Sequence, residues 1–284
     1  MQTETAIIRI VIAGINGRMG RASASAIAQH AGFELVGAFG KPDATYRGKS
    51  VAELTGSANG GSAGILVSNG FLDSLAGAKP DVLLDFTHAE VAVQNAVTAL
   101  EHGIRPVIGT SGITPKHSEE ISKLAAEKKL GALVIPNFSI GAVLMMEFAR
   151  QAAAMFSHVE IVEMHHPGKK DAPSGTAMHT IAKIAGNGGP FNPAEVQETQ
   201  LLPGSRGGTG QGGVKVHSIR LPGLISHQEV IFGGDGELLT IKHDSFNTNC
   251  FVKGIMLSLE SVMKLDRLVV GLDALLPLAE KKSA

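Results

Sequence analysis

Residues 7–20 read Ile7-Ile8-Arg9-Ile10-Val11-Ile12-Ala13-Gly14-Ile15-Asn16-Gly17-Arg18-Met19-Gly20, and an Ala-rich stretch runs on to His30. The apolar run Ile7–Ala13 has the look of a short strand. Met19, Ala22, Ala26 and Ile27 recur at helical spacing, and Gly32 stops them. A G-x-x-G-x-x-G loop therefore sits where a leading strand becomes a first helix. There glycine permits a tight turn and lets an anion reach the free N–H groups of the helix start. A glycine-rich turn with no ligand is the plain alternative, because the spacing departs from the commoner G-x-G-x-x-G. Its place directly behind the first strand favours the pyrophosphate of a dinucleotide.

Outward from this loop the same grammar repeats. Phe33–Phe39 reads as a strand, and so does Asp81–Phe86. A helix pattern follows over Glu90–His102, closed by Gly103, and Arg105–Thr110 is the next strand. Thr114 and Pro115 form an N-cap and first helical residue for a helix to about Lys129, before the strand Ala132–Pro136. Such β-α-β repetition predicts an α/β fold: a Rossmann-type parallel sheet with helices on both faces. After Asn137 the pattern changes. A helix over Ile140–Phe156 leads to the strand Val159–His165 and a short helix after Ser174, with Ala177, Met178, Ile181 and Ile184 on its apolar face. Beyond the glycine-rich loop Pro203–Gly213 come three strand patterns, Val214–Leu221, Gln228–Phe232 and Glu237–His243. They predict an α+β domain with a mixed or antiparallel sheet. The last helix pattern, Cys250–Lys264, returns to the first domain. The expected division is 1–137 with 248–284 for dinucleotide binding, and 138–247 for the second domain.

Composition narrows the function. At about 150 residues per domain, 284 residues make roughly two domains. Lys+Arg at 25 against Asp+Glu at 26 leaves no electrostatic footprint for nucleic acid or an anionic membrane. A single cysteine, Cys250, excludes an internal disulfide framework and a thiolate metal cluster within one chain, and fits a reducing cytoplasm. The opening Met-Gln-Thr-Glu-Thr-Ala lacks the basic region of a signal peptide. The apolar stretch Gly131–Ala149 is broken by Pro136, Asn137, Ser139 and Glu147, so it cannot be one membrane-spanning helix.

The end of the second strand bears on cofactor choice. An NAD site places Asp or Glu there to accept from the ribose 2′-hydroxyl. This chain reads Ala38-Phe39-Gly40-Lys41 instead. Lys41, with Arg18 in the glycine loop, suits a 2′-phosphate, which predicts NADPH preferred over NADH. A solvated loop lysine and a site open to both cofactors is the alternative.

The second informative segment is Glu163-Met-His165-His166-Pro-Gly-Lys169-Lys-Asp171-Ala-Pro-Ser174-Gly175-Thr176-Ala177. It runs from a strand end into a helix start. The N–H groups of Gly175 and Thr176 make an anion cradle, and Lys169 adds a mobile charge. Two anion-binding elements beside a histidine pair suit a small dicarboxylate that is protonated during reaction. Metal ligation by His165 and His166 is disfavoured, since neighbours on a strand face opposite sides and no partner has ligand spacing. No metal is expected.

This segment matches the E-x-H-H-x-x-K-x-D-A-P-S-G-T-A signature of the dihydrodipicolinate (4-hydroxy-tetrahydrodipicolinate) reductase family of bacterial lysine biosynthesis. The chain also resembles that family in its glycine loop, Asp85-Phe86-Thr87, Gly109-Thr110-Ser111-Gly112, Asn137-Phe138-Ser139 and Arg206-Gly-Gly-Thr-Gly210. The resemblance implies NAD(P)H-dependent reduction of a cyclic dicarboxylate to tetrahydrodipicolinate, on the way to diaminopimelate. Hydride would go to ring C4 and a proton would come from His165. Lys169 would hold a substrate carboxylate, with His166, Gly175 and Thr176 positioning the substrate. Gly14, Asn16, Gly17, Arg18, Met19, Gly20, Lys41, Phe86, Gly109, Thr110, Ser111, Asn137 and Phe138 would line the cofactor. The second domain's sheet would assemble a homotetramer.

Two departures stand out. Many members carry an acid where this chain has Gly40, and many carry an Arg near Thr248. A semialdehyde dehydrogenase would need an activated thiol, yet Cys250 opens a terminal helix pattern. A nucleotide-sensing regulator would not need the intact His165/Lys169 pair.

Overall fold

The computed structural model describes residues 6–41, 45–56, 64–75 and 78–278. The opening read above as lacking a signal peptide lies, for residues 1–5, outside them. The chain divides into two compact units, Met1–Phe138 with Phe251–Ala284, and Ser139–Cys250.

The first unit runs β1 (Ile8–Ala13), α1 (Arg18–Ile27), β2 (Phe33–Phe39), α2 (Val51–Thr55), β3 (Val67–Ser68), α3 (Phe71–Ser74), β4 (Val82–Asp85), α4 (Ala89–Glu101), β5 (Arg105–Ile108), α5 (Pro115–Lys128) and β6 (Ala132–Val134). The second unit holds α6 (Ile140–Ala152), β7 (His158–His165), α7 (Gly175–Ala185), β8 (Gly208–Thr209), β9 (Lys215–Arg220), β10 (Ser226–Gly234) and β11 (Glu237–Ser245). The chain then returns to the first unit with α8 (Val252–Val262) and β12 (Leu268–Val270).

In the first unit seven strands pair in the order β12-β6-β5-β4-β1-β2-β3, all parallel. Parallel central strands are covered on both faces and so are apolar throughout: Ile10–Ala13 and Val82–Leu84 are fully buried. On one face α4 and α5 lay Ala92, Ala96, Leu100, Ile121 and Ala125 over Ile108, Ala132 and Val134. The register aligns the strand ends. Ala13 pairs with Phe39 and Asp85, Asp85 with Ile108, and Ile108 with Val134. The residues that follow each end are thereby set side by side along one edge, where ligands of such sheets bind.

The second unit's sheet is mixed, in the order β11-β10-β7-β9-β8, with β7–β9 parallel and the other pairings antiparallel. Along β7 burial alternates. Val159, Ile161, Glu163 and His165 face one side, and His158, Glu160, Val162 and Met164 face the other. In α7 the inward face is Ala177, Thr180, Ile181 and Ile184. Met178, expected on that face, is half exposed, and Thr180 takes its place by accepting a hydrogen bond from buried Gln228 at 2.7 Å. In α1 the buried residues are Gly20, Ser23, Ala24 and Ile27, a face turned slightly from the expected one. The last helix begins later than Cys250, after a 3-10 turn over Thr248–Phe251.

Candidate active site

At the edge of the first sheet, Gly14 follows β1 with φ 79°, a left-handed conformation that only glycine adopts freely. A Cβ there would also meet the Phe86 carbonyl oxygen at 2.7 Å. A Cβ on Gly20 would lie 2.4 Å from the Gly14 oxygen, so the first turn of α1 rests directly on the loop. Gly17, the N-cap of α1, is exposed and its side-chain cap is missing. The first N–H groups of α1 are thus offered outward, as an anion site requires. Arg18 is exposed beside them and Met19 is half-buried. The Asn16 side chain is engaged by the Arg21 guanidinium, which shapes the loop from within the unit.

Further along the edge, Phe86 follows β4, Gly109 to Ser111 follow β5, and Asn137 and Phe138 lie just beyond β6. The Phe86 and Phe138 rings meet edge to face, centroids 5.9 Å apart. A Cβ on Gly109 would strike Phe86 at 2.4 Å and Phe138 at 2.6 Å, so glycine here lets the rings close over bare backbone. Buried Asp85 organises this end. It accepts from the Thr87 amide (2.8 Å) and hydroxyl (2.6 Å), from Asn95 (2.8 Å) and from Thr110 (3.0 Å). Thr110 therefore spends its hydroxyl on the scaffold. From behind, Gly254 of α8 backs onto the Phe138 carbonyl, where a Cβ would come within 2.0 Å. These glycine contacts and the outward helix start fit a dinucleotide.

The second unit supplies the other chemistry. Glu163 and His165 share the inward face of β7 because they are two residues apart. His165 Nδ1 donates to Glu163 Oε2 at 2.6 Å, and Arg220 Nη2 donates to Glu163 Oε1 at 2.8 Å. Arg220 reaches this point because β9 pairs with β7 in a register that sets it opposite His165. The same nitrogen donates to the Asp171 carbonyl at 2.8 Å, which ties the following loop to the strand. Burial works against ionisation of Glu163, yet hydrogen bonds from Arg220, Ser218 and His165 outweigh it and hold its pKa below the usual range. Burial also pushes the His165 pKa down. The Glu163 bond and charge oppose that shift, and the Lys169 and Arg220 charges reinforce it.

His166 lies exposed just past the strand end. Lys169 is not the loose charge expected: its Nζ pairs with both Asp171 oxygens, at 2.8 and 2.9 Å. That bond, above all, holds the Asp171 pKa low. Ser174 caps α7 by accepting from the Ala177 amide at 3.2 Å. A Cβ on Gly175 would meet nothing within 4 Å, so the helix start opens onto free space. Among the described residues no group of three His, Cys, Asp or Glu is placed to hold a metal. Sequence reading gave Glu163 no role, although its spacing from His165 was a usable signal. Arg220 carried none, since only the strand pairing brings it here.

Comparison with known proteins agrees with these two halves. The family profile "Dihydrodipicolinate reductase, N-terminus" matches residues 8–138, and "Dihydrodipicolinate reductase, C-terminus" matches residues 141–276. The chain belongs to the dihydrodipicolinate reductase family. Membership makes it an oxidoreductase that uses a nicotinamide cofactor. The 4-hydroxy-tetrahydrodipicolinate reductase of Bacillus licheniformis is 44% identical over 96% of this chain and 98% of its own length. That of Geobacillus kaustophilus is 46% identical over 95% and 99%. Among solved family structures, dipicolinate-bound dihydrodipicolinate reductase from Paenisporosarcina sp. TG-14 superposes with a TM-score of 0.84 at 39% identity. It covers 95% of this chain and 100% of its own.

Proposed function

We propose that the chain reduces 4-hydroxy-tetrahydrodipicolinate to tetrahydrodipicolinate, with NADPH preferred over NADH, in the diaminopimelate route to lysine. The observation that carries this reading is the hydrogen-bonded chain Arg220–Glu163–His165, its carboxylate and imidazole buried, at the head of the segment that carries Lys169 and the start of α7. The dipicolinate bound in the Paenisporosarcina relative is a ring dicarboxylate, the ligand class for which a lysine and a helix start are suited.

A bound reduced nicotinamide would supply hydride to ring C4 of the dehydrated ring, dihydrodipicolinate, which forms when the 4-hydroxyl leaves as water. His165 gives the proton to the neighbouring ring carbon. With Nδ1 committed to Glu163, Nε2 is the nitrogen that carries the exchanging proton, and the Glu163 charge steadies the imidazolium. Lys169 turns from Asp171 toward one substrate carboxylate. The Gly175 and Thr176 amides receive the other, and His166 completes the substrate's surroundings. Gly14, Asn16, Gly17, Met19 and Gly20 hold the pyrophosphate, and Lys41 with Arg18 the 2′-phosphate. Phe86, Gly109, Thr110, Ser111, Asn137 and Phe138 flank the nicotinamide.

The reading extends to a cytoplasmic homotetramer joined through the second sheet. Its support is the nine-residue edge strand β11, which leaves Leu238 and Leu239 exposed. The test is an assay coupled to the synthase that makes the substrate, following nicotinamide absorbance with each cofactor. Turnover with NADPH is expected, and His165→Ala should lower it about 10²–10⁴-fold. A loss under tenfold would take proton donation away from His165. Nucleotide binding without turnover would favour a sensing role.

A further inference from the structure

Tyr46 is the only tyrosine of the chain, and it stands over the end of β2. Its Oη accepts the Lys41 N–H at 3.0 Å. A Cβ on Gly40 would lie 2.5 Å from that Oη, 2.7 Å from Cε2 and 3.0 Å from Cζ. The ring therefore fills the space that a side chain at position 40 would need. In a dinucleotide fold this is where a carboxylate would accept from the ribose 2′-hydroxyl. Tyr46 and any acid at position 40 are mutually exclusive unless the ring leaves.

We propose that Tyr46 is a specificity-determining residue: docked on Gly40, its phenol shuts out a ribose-binding carboxylate and, with the Lys41 ammonium, forms the seat of a ribose 2′-phosphate. The chemistry is complementary. Oη accepts from the Lys41 amide, which leaves its own hydrogen to donate to a phosphate oxygen. Lys41 is exposed and supplies the positive charge. The inference rests on the NADPH reading above and deepens it, since a lone surface lysine has no means of excluding NADH.

The experiment compares adenosine 2′,5′-bisphosphate with 5′-AMP, which differ only in the 2′-phosphate, by calorimetry on the whole protein. It uses the wild type, Tyr46→Phe and Gly40→Asp. Wild type should bind the bisphosphate more tightly. Tyr46→Phe keeps the ring and loses only the hydroxyl, so the preference should fall about tenfold while 5′-AMP affinity holds. Gly40→Asp should displace the ring and lose the preference altogether. The chain has no tryptophan, so wild-type emission excited at 280 nm comes from Tyr46 and should respond to the bisphosphate far more than to 5′-AMP.

A wild type indifferent to the 2′-phosphate would bring down the NADPH reading and this proposal together. A wild type that discriminates, with the preference unchanged in Tyr46→Phe, would overturn the role of Tyr46 and leave the NADPH reading standing. Equal weakening of both nucleotides in Tyr46→Phe would make Tyr46 a structural prop and overturn the proposal as well.

Discussion

A histidine that gives up a proton from a buried position needs a neighbour that keeps the proton on it until the transition state. Burial depresses the His165 pKa, and the Glu163 carboxylate at 2.6 Å is the group that opposes this. An acid catalyst works only while protonated. Activity that depends on His165 therefore falls as pH rises through its lowered pKa. A dicarboxylate substrate adds negative charge and lifts that pKa, so the alkaline limb of kcat should lie at higher pH than that of kcat/KM. In Glu163→Gln the hydrogen bond survives in form but the charge is gone. The alkaline limb of kcat/KM should then move about 1–2 pH units lower. A pH–rate profile superimposable on that of the wild type would leave Glu163 with no hold on His165. Stability carries its own sign. The Glu163 pKa is depressed from 4.5, so its contribution is complete above that value and is lost as pH falls through the depressed one.

At the scale of elements, glycine separates two kinds of helix position that sequence alone does not distinguish. Gly175 opens α7 onto empty space, whereas Gly254 of α8 is pressed against the Phe138 carbonyl. Gly175→Ala should leave melting unchanged or raise it slightly, since alanine narrows the unfolded ensemble. On the proposed reading its methyl group would crowd the substrate carboxylate, so KM for substrate should rise about tenfold with nucleotide affinity unaltered. Gly254→Ala should behave in the opposite way, losing about 1–3 kcal/mol or more to overpacking against backbone that cannot yield. Scanning calorimetry with substrate kinetics on both variants checks the pair, and equal melting losses would refute the distinction.

Periodicity made the long strands and helices legible, because each buries a face of its own. Of the strands of two or three residues only β6 is legible, within the apolar run Ala132–Pro136, whereas β3, β8 and β12 carry no period and exist only through their partners. The same divide runs through the site. The glycine loop and His165-His166 to Thr176 are contiguous and could be read. Arg220 on Glu163, and Tyr46 on Gly40, depend on contacts between segments distant in sequence or across a turn. Lys169 was legible as a cation, but its pairing with Asp171 was not, since two charges two residues apart need not meet.

For the whole molecule, the division into units makes ligand binding separable. Each unit has its own sheet and its own apolar core: Ile10–Ala13, Leu83 and Ile108 in one, Val159, Ile161, Val230 and Phe232 in the other. A ligand that binds only the folded form stabilises it by about 2.7 kcal/mol at a hundred times its dissociation constant, and the protection falls first on the backbone it contacts. NADPH should therefore slow amide hydrogen exchange chiefly in residues 14–20, 86–87 and 109–112, the loops that follow β1, β4 and β5. Pyridine-2,6-dicarboxylate should slow it chiefly in residues 165–177, between β7 and the first turn of α7. Exchange measured by mass spectrometry with each ligand alone resolves the two patterns. Protection of 165–177 by the nucleotide with none in the glycine loop would assign the anion sites the wrong way round. The dicarboxylate acting equally on both sets would mean that the helix start of α7 does not select it.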